Sequence, residues 1–412
     1  MASNHLFVIT RLISLIMSQA IILLLVLYLN ATEFGSLSLV LSFTQLLITF
    51  ISAWHSGTML NHGQKYFQRT NSLFTVLVFR GFWIIVLVLI CVVIFDEKII
   101  ERINNFTGLK NGFYLILLFA LAEVTFDYFQ NILVVYGKLL KNAIAVLTVK
   151  SSCVLYIVLH FDSIEAYVEF YASVHIIYAV FVIVILLRMV RPNKACLDQD
   201  KFKELSLFSF WAFFTSLSVL AVNQAYNFLL RTSEVTLSEI GAHSLAFKAF
   251  MTLSVLVYFV RVFYPKALYA KSIQEKFIFL RKVFEVYLQQ YLVAVSCAYF
   301  IICILVDVFT NYSQGAGYEG STMLVILYFP AFILFQRAQF LCVLLNNSIY
   351  YNKENMTYII MSIFNLAANV VLINLYGVYG VILATTIGWF CFNLILSRHI
   401  NQRFFLSLRR SH

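Results

Sequence analysis

Apolar and polar positions along this chain fall into blocks of membrane-spanning size. Apolar runs lie near residues 6–29, 36–59, 73–95, 112–135, 142–160, 166–187, 205–230, 241–263, 284–306, 321–346, 356–376 and 378–397. Each approaches or exceeds the roughly 20 residues that cross a bilayer as a helix rising about 1.5 Å per residue. The pattern therefore predicts about twelve spans. Within the second run, Ser38, Ser42, Gln45, Thr49, Ser52 and Ser56 recur at alternating steps of four and three, which places all six on one helical face. The remaining faces are aliphatic and aromatic, so this stripe is expected to look into an enclosed, hydrated space and not into lipid. Shorter stripes follow the same rule: Arg11, Ser14 and Ser18 in the first run, Ser209, Ser216, Asn223 and Asn227 in the seventh, and Ser362, Asn365 and Asn369 in the eleventh. Hydrogen bonding between helices is the competing explanation for such stripes.

The turn that opens the second run returns half a chain later. Thr32-Glu33-Phe34-Gly35-Ser36-Leu37-Ser38-Leu39 is echoed by Ser238-Glu239-Ile240-Gly241-Ala242-His243-Ser244-Leu245, which opens the eighth run. An internal repeat of this kind divides the chain into an N-terminal lobe of six helices (1–190), a cytoplasmic linker (191–204) and a C-terminal lobe of six helices with a short basic tail (205–412). Six is even, so the lobes share one orientation and are expected to be related by a pseudo-twofold axis along the membrane normal.

Composition confirms the class that the pattern implies. Hydrophobic residues make up 62% and charged residues 12% of the 412 positions, and the mean hydropathy is +0.87. Soluble globular domains hold about 45–50% apolar residues. The chain is expected to be an all-α polytopic membrane protein: only three prolines occur, and the strict alternation of a transmembrane barrel is missing. The first run is longer than the apolar core of a signal peptide and has no small-residue cleavage pattern behind it, so it is expected to remain as a helix.

Charge sets the expected orientation. Alternate loops carry Lys65 and Arg69, Lys138 and Lys141, Arg188 to Lys203, Arg261 to Lys282, Lys353, and the tail arginines. The loops between them are poor in Lys and Arg, so the basic loops and both termini are expected in the cytoplasm. The net charge of +10 follows from this asymmetry and from an anionic inner leaflet, which removes the reason to expect nucleic acid as a partner.

Catalytic chemistry is not evident. The seven cysteines have no metal or redox spacing and read as packing residues, and the histidines form no metal cluster. No phosphate-binding loop, no Ser/His/Asp arrangement and no resident cofactor is indicated, so the protein is not expected to be an enzyme. The informative residues are charges inside the membrane. Glu123 and Asp127, four apart in the fourth run, share one face, and against them stand Arg11, Arg80, Lys150, Lys248 and Arg337. Each would cost about 2.5–3.5 kcal/mol facing lipid. A shared, central, cationic cavity is therefore expected, suited to an anion. The two carboxylates either exchange an ion or pair with these cations. Arg11 and Arg80, near the cytoplasmic end, could instead snorkel to the headgroups.

The turn Tyr28-Leu29-Asn30-Ala31-Thr32-Glu33-Phe34-Gly35-Ser36-Leu37-Ser38-Leu39 and the turn Tyr376-Gly377-Val378-Tyr379-Gly380-Val381, on twelve spans in two like-oriented halves, resemble Wzx-type flippases of the multidrug/oligosaccharidyl-lipid/polysaccharide exporter superfamily. A proline often seen in the first span of that family is missing. The resemblance implies a bacterial inner-membrane protein that moves undecaprenyl-pyrophosphate-linked oligosaccharide, such as an O-antigen repeat unit, to the outer leaflet by alternating access. It implies an H⁺ or Na⁺ gradient or the membrane potential as driving force, membrane lipids as surroundings, and a polysaccharide polymerase and chain-length proteins as partners. On physical grounds Arg11, Arg80, Lys150, Lys248 and Arg337 would hold the pyrophosphate. Glu123 and Asp127 would couple or pair, and the stripes Ser38, Ser42, Gln45, Thr49, Ser52, Asn223, Asn227, Asn365 and Asn369 would face the sugars. A multidrug antiporter of the same superfamily and a polysaccharide polymerase or ligase are the alternatives. The first would be expected to present an acidic cavity, and the second an outer loop larger than residues 96–111.

Overall fold

The structure, a computed structural model, describes residues 2–54, 56, 59, 63, 66–67, 70, 73–189, 198–252, 282, 286–312, 317–345 and 351–400. Among these the elements are helical: α1 (Ala2–Tyr28), α2 (Ala31–Ile48) continued by a π-helical turn (Thr49–Ala53), α3 (Phe74–Ile94), α4 (Glu97–Thr107), α5 (Gly112–Val135), α6 (Leu139–His160), α7 (Ile164–Met189), α8 (Gln199–Thr232), α9 (Leu237–Thr252), α10 (Leu288–Tyr312), α11 (Ser321–Leu327), α12 (Phe329–Leu345), α13 (Tyr351–Tyr376) and α14 (Val378–Ile400). Nine helices among the described residues are long and apolar enough to cross a membrane, and α11 with α12, bent by 47°, makes a tenth. The two remaining expected spans correspond to α1 and to α9, which is described as far as Thr252. The chain is thus an all-helical polytopic membrane protein. Lys65 and Arg69, the basic stretches 191–194 and 266–281 and the tail beyond residue 400 lie outside the described residues.

Three expectations about the elements change. The connection at residues 96–111, expected as an outer loop, is largely the helix α4. Asp96 caps it by accepting from the Ile99 amide at 2.8 Å, and Gly108 ends it at φ 73°. Its Ile103 is buried while Glu97, Lys98, Glu101 and Arg102 are exposed, so its polarity hid it from a search for uniformly apolar runs. The seventh span begins at Gln199 and not at 205, because Asp198 accepts from the Lys201 amide at 2.9 Å and starts the helix early. The tenth span is broken at Tyr328. Pro330, in the first turn of α12, has no N–H to give to a carbonyl one turn back, so α11 cannot run on unbroken. Buried Tyr328 is fixed at the break by His243 Nε2, 2.7 Å from its hydroxyl.

The contacts separate two compact units. The first comprises Met1–Tyr28 with Ser36–Leu220, and the second Leu29–Gly35 with Ala221–His412. The division therefore falls inside α8 and inside the first turns of α2. In the first unit, α1 packs on α6, α5 on α6 and α7, and α6 on α7. Met59, Phe79, Phe126, Val146, Val149 and Tyr178 belong to its core. Burial separates inner from outer helices: two-thirds (67%) of the apolar window of α2 is buried against 17% for α3, whose Ile85, Val92, Val93 and Ile94 point outward as lipid-facing residues do. In the second unit α14 packs on α12 and α13, and α9 packs on α10 and α11. The α13–α14 hairpin turns at Gly377 (φ 56°), and a Cβ at Gly380 would overlap the Leu372 carbonyl.

Candidate functional site

The intramembrane charges divide into separate environments. In the first unit, α5 presents Asp127 to α3, where Arg80 is fully buried. Arg80 Nη2 lies 2.8 Å from Asp127 Oδ2 and donates to Ser56 Oγ at 2.7 Å. Nη1 reaches the Met59 sulfur at 3.3 Å, and the guanidinium stands over the Tyr128 ring with 5.0 Å to its centroid. Ser56 also hydrogen-bonds Asp127 Oδ2, and Asn131 donates to Oδ1 at 2.8 Å. The Arg80 side chain is 0% exposed and that of Asp127 33%. Arg80 therefore does not snorkel to headgroups; it is a desolvated cation neutralised by a carboxylate that keeps one side open.

Glu123, one turn away on the same helix, has another partner. It accepts from the hydroxyl of Tyr171 on α7 and makes no ion pair among the described residues. His175, a turn further along α7, sets its ring 4.0 Å from that of Tyr171, tilted by 31°, and approaches the Tyr171 carbonyl with Nδ1 at 2.7 Å. Lys150, on α6, donates to Ser18 Oγ on α1. The Tyr171–Glu123 bond thus ties α7 to α5 and the Lys150–Ser18 bond ties α6 to α1, both separate from the Arg80 pair.

The second unit carries cations without carboxylates. Arg337, on α12, donates through Nη1 to Asn393 Oδ1 at 2.9 Å and through Nη2 to Ser397 Oγ at 3.2 Å. Asn393 is itself locked as an acceptor, because its Nδ2 gives to the Leu334 and Trp389 carbonyls at 2.7 and 2.8 Å. No carboxylate pairs with Arg337 among the described residues, and none with Lys248, which is half-buried on α9. Arg11 is on α1, with its side chain outside what is described.

The polar stripes are mostly internal. Ser38, Ser42, Thr49, Ser52 and Ser56 are buried, while Gln45 is exposed. Ser42, Ser52 and Ser56 bond to carbonyls one turn back on their own helix, which uses up hydroxyl capacity. Asn365 and Asn369 are buried against each other, with Asn369 Nδ2 2.8 Å from Asn365 Oδ1. Asn227 is buried and accepts from Ser244, and Asn223 is partly exposed. The sequence reading passed over Tyr171 and His175, and Asn393 and Ser397. Each pair is spaced by four on one helix, and that spacing was the available signal.

No protein-family model matches the sequence, and no curated protein matches it. The fold, in contrast, has solved counterparts. An inward closed conformation of the lipid II flippase MurJ superposes with a TM-score of 0.61 at 16% identity, over 96% of this chain and 87% of that one. An inward-facing MATE-family multidrug resistance transporter of the MOP superfamily gives 0.60 at 12%, over 96% and 98%. A MOP-superfamily transporter from Pyrococcus furiosus, described as having a binding pocket of reversed polarity, gives 0.54 at 10%, over 97% and 96%. At such identities the likeness establishes that the chain has the fold of MOP-superfamily transporters.

Proposed function

We propose that this protein is a flippase for an anionic lipid-linked oligosaccharide, with undecaprenyl-pyrophosphate-linked repeat units of a surface polysaccharide as the substrate class. The observation that carries the reading is the pair of cations, Arg337 and Lys248, in second-unit membrane helices where no carboxylate among the described residues neutralises them. An uncompensated buried cation is costly, and a pyrophosphate would repay it with charge-assisted hydrogen bonds worth about 1.5–3 kcal/mol each. Arg337 is also preorganised, since Asn393 and Ser397 fix its guanidinium before any ligand arrives. Arg80, already paired with Asp127, would instead hold its helices together and release charge only if that pair opens. Glu123 is then the better candidate for ion coupling, with H⁺, Na⁺ or the membrane potential as driving force.

The same charge distribution disfavours a multidrug antiporter for cationic drugs. The likeness to the lipid II flippase supports the flippase reading at the level of fold. In it, the halves 1–190 and 205–412 alternate access across the cytoplasmic membrane with both termini inside, and a polymerase and chain-length proteins receive the product. The test is reconstitution in liposomes with a fluorescent undecaprenyl-pyrophosphate oligosaccharide, scoring the fraction that reaches a lectin on the opposite side. Protein-dependent exposure supports the reading. A rate equal to that of protein-free vesicles, for protein shown to be folded, overturns it.

A further inference from the structure

Within the first unit one face of α5 stays polar and open. Glu123, Asp127 and Gln130 recur at steps of four and three, and each is partly exposed. Ala122 and Phe126 are buried on one side of this strip, and Val124 and Asn131 on the other. The exposed apolar residues of the helix, Tyr114, Leu117 and Leu121, lie on a different face. The strip is thus a polar slot between packed faces and not part of the apolar exterior. Asp127 stands about 12 Å of helix rise from the end of α5 at Val135. At that depth hydrocarbon is a costly neighbour for a carboxylate, so the slot suits a hydrated polar solute.

The hydrogen-bond capacity of Asp127 says what kind of solute. A carboxylate offers about four lone-pair positions. On Asp127, Oδ2 faces Ser56 Oγ and Arg80 Nη2, and Oδ1 accepts from Asn131 Nδ2 at 2.8 Å. One position on Oδ1 remains, on a side chain that is 33% exposed. Three partners fix the carboxylate plane, so this position points in a set direction. Arg80 is held away from it, with Nη1 on the Met59 sulfur at 3.3 Å and the Tyr128 carbonyl at 3.5 Å. The pair is neutral as a whole, which makes the open oxygen a poor trap for a cation and a good acceptor for a hydroxyl. Gln130, three residues on, brings an amide with a donor and an acceptor, and its side chain has no hydrogen bond among the described residues. A rigid carboxylate oxygen beside an amide matches neighbouring hydroxyls of a sugar. The stripe read from the sequence as sugar-facing is less able to do this, because Ser42 and Ser52 give their hydrogens to their own backbone and Asn365 and Asn369 bond each other.

We propose that Asp127 and Gln130 form a sugar-reading subsite, in which the open oxygen of Asp127 accepts from one hydroxyl of the oligosaccharide and the Gln130 amide bonds a neighbouring one. The subsite rests on the flippase reading and adds to it the residues that tell one glycan from another. The test compares bare undecaprenyl pyrophosphate with the undecaprenyl-pyrophosphate oligosaccharide extracted from cells that express the protein, both titrated into purified protein by tryptophan fluorescence. Wild-type protein should bind the sugar-bearing lipid about tenfold more tightly than the bare lipid, the worth of one hydrogen bond to a charged group. Asp127→Glu keeps a negative charge beside Arg80 but moves the open oxygen. Gln130→Leu leaves the Arg80–Asp127 pair untouched and so guards against misfolding. Each should reduce the preference to about twofold or less. A full preference in both variants overturns the subsite. Equal binding of bare and sugar-bearing lipid by wild type also overturns it, while leaving the flippase reading intact. If neither lipid binds, the flippase reading falls and the subsite falls with it. A fluorescence change on replacing choline chloride by sodium chloride, seen in wild type and lost in Asp127→Glu, would assign the open oxygen to a cation and overturn the proposal.

Discussion

Glu123 and Asp127 lie one helical turn apart on α5, yet one accepts from the neutral Tyr171 hydroxyl and the other pairs with the buried Arg80 guanidinium. Two carboxylates that look equivalent in the sequence therefore have separate work. Asp127 offsets a fixed charge, whereas Glu123 has no fixed counter-charge among the described residues.

The stability consequence is asymmetric. Removing one member of a buried pair costs about 3–5 kcal/mol because the other is left charged and unsolvated, while replacing both by apolar groups is often near neutral. Asp127→Leu alone is expected to lower the melting temperature in detergent sharply, and Arg80→Met with Asp127→Leu to recover most of the loss. A double variant no more stable than the single one would show that the pair is not the main partner of Arg80.

This division marks where the sequence stopped being informative. The helices were readable because the bilayer demands long apolar runs, and the motifs Gly35 and Gly377–Gly380 stood out because only glycine allows a carbonyl to come so near or a turn at positive φ. Partner choice was not readable. Arg80 looked like a residue at the cytoplasmic mouth, but α3 turns it inward, and nothing in a single helix tells which neighbour supplies the carboxylate. Helix α4 was missed because it is short and half polar, with Ile103 buried and Glu97, Lys98, Glu101 and Arg102 exposed. The stripe of α2 was legible as a face, whereas the return of its hydroxyls to their own backbone depends on rotamers that the pattern does not encode.

Glu123→Gln keeps the acceptor that Tyr171 needs and removes the charge. It is expected to leave the melting temperature within a few degrees of wild type and to make flipping insensitive to an imposed proton or sodium gradient. Tyr171→Phe should weaken the gradient dependence without abolishing it. Reconstituted protein assayed with and without each gradient decides the matter, and unchanged gradient dependence in Glu123→Gln would remove Glu123 from coupling.

The hairpin of α13 and α14 offers a test of packing alone. Because a Cβ at Gly380 would overlap the Leu372 carbonyl, Gly380→Ala must push the helices apart, at a cost of about 1–3 kcal/mol typical of overpacking. The expected result is a lower melting temperature, with substrate affinity in the surviving folded fraction unchanged.

The cations of the second unit make the sharpest demand. Arg337 is held by two neutral acceptors, so its charge is available in a fixed direction, while Lys248 has no partner among the described residues and a flexible stem. Geometry should therefore matter at Arg337 and charge alone at Lys248. Arg337→Lys loses the two-pronged grip of the guanidinium and should weaken binding of a pyrophosphate lipid several-fold, with Arg337→Met at least tenfold weaker than wild type. Lys248→Arg should stay close to wild type and Lys248→Met should fall with Arg337→Met. Asn393→Leu, which frees Arg337 without removing it, should give a loss between those of Arg337→Lys and Arg337→Met. Titrating purified variants with undecaprenyl pyrophosphate by tryptophan fluorescence measures all five. Wild-type affinity in both methionine variants would mean that the anion is held by other residues.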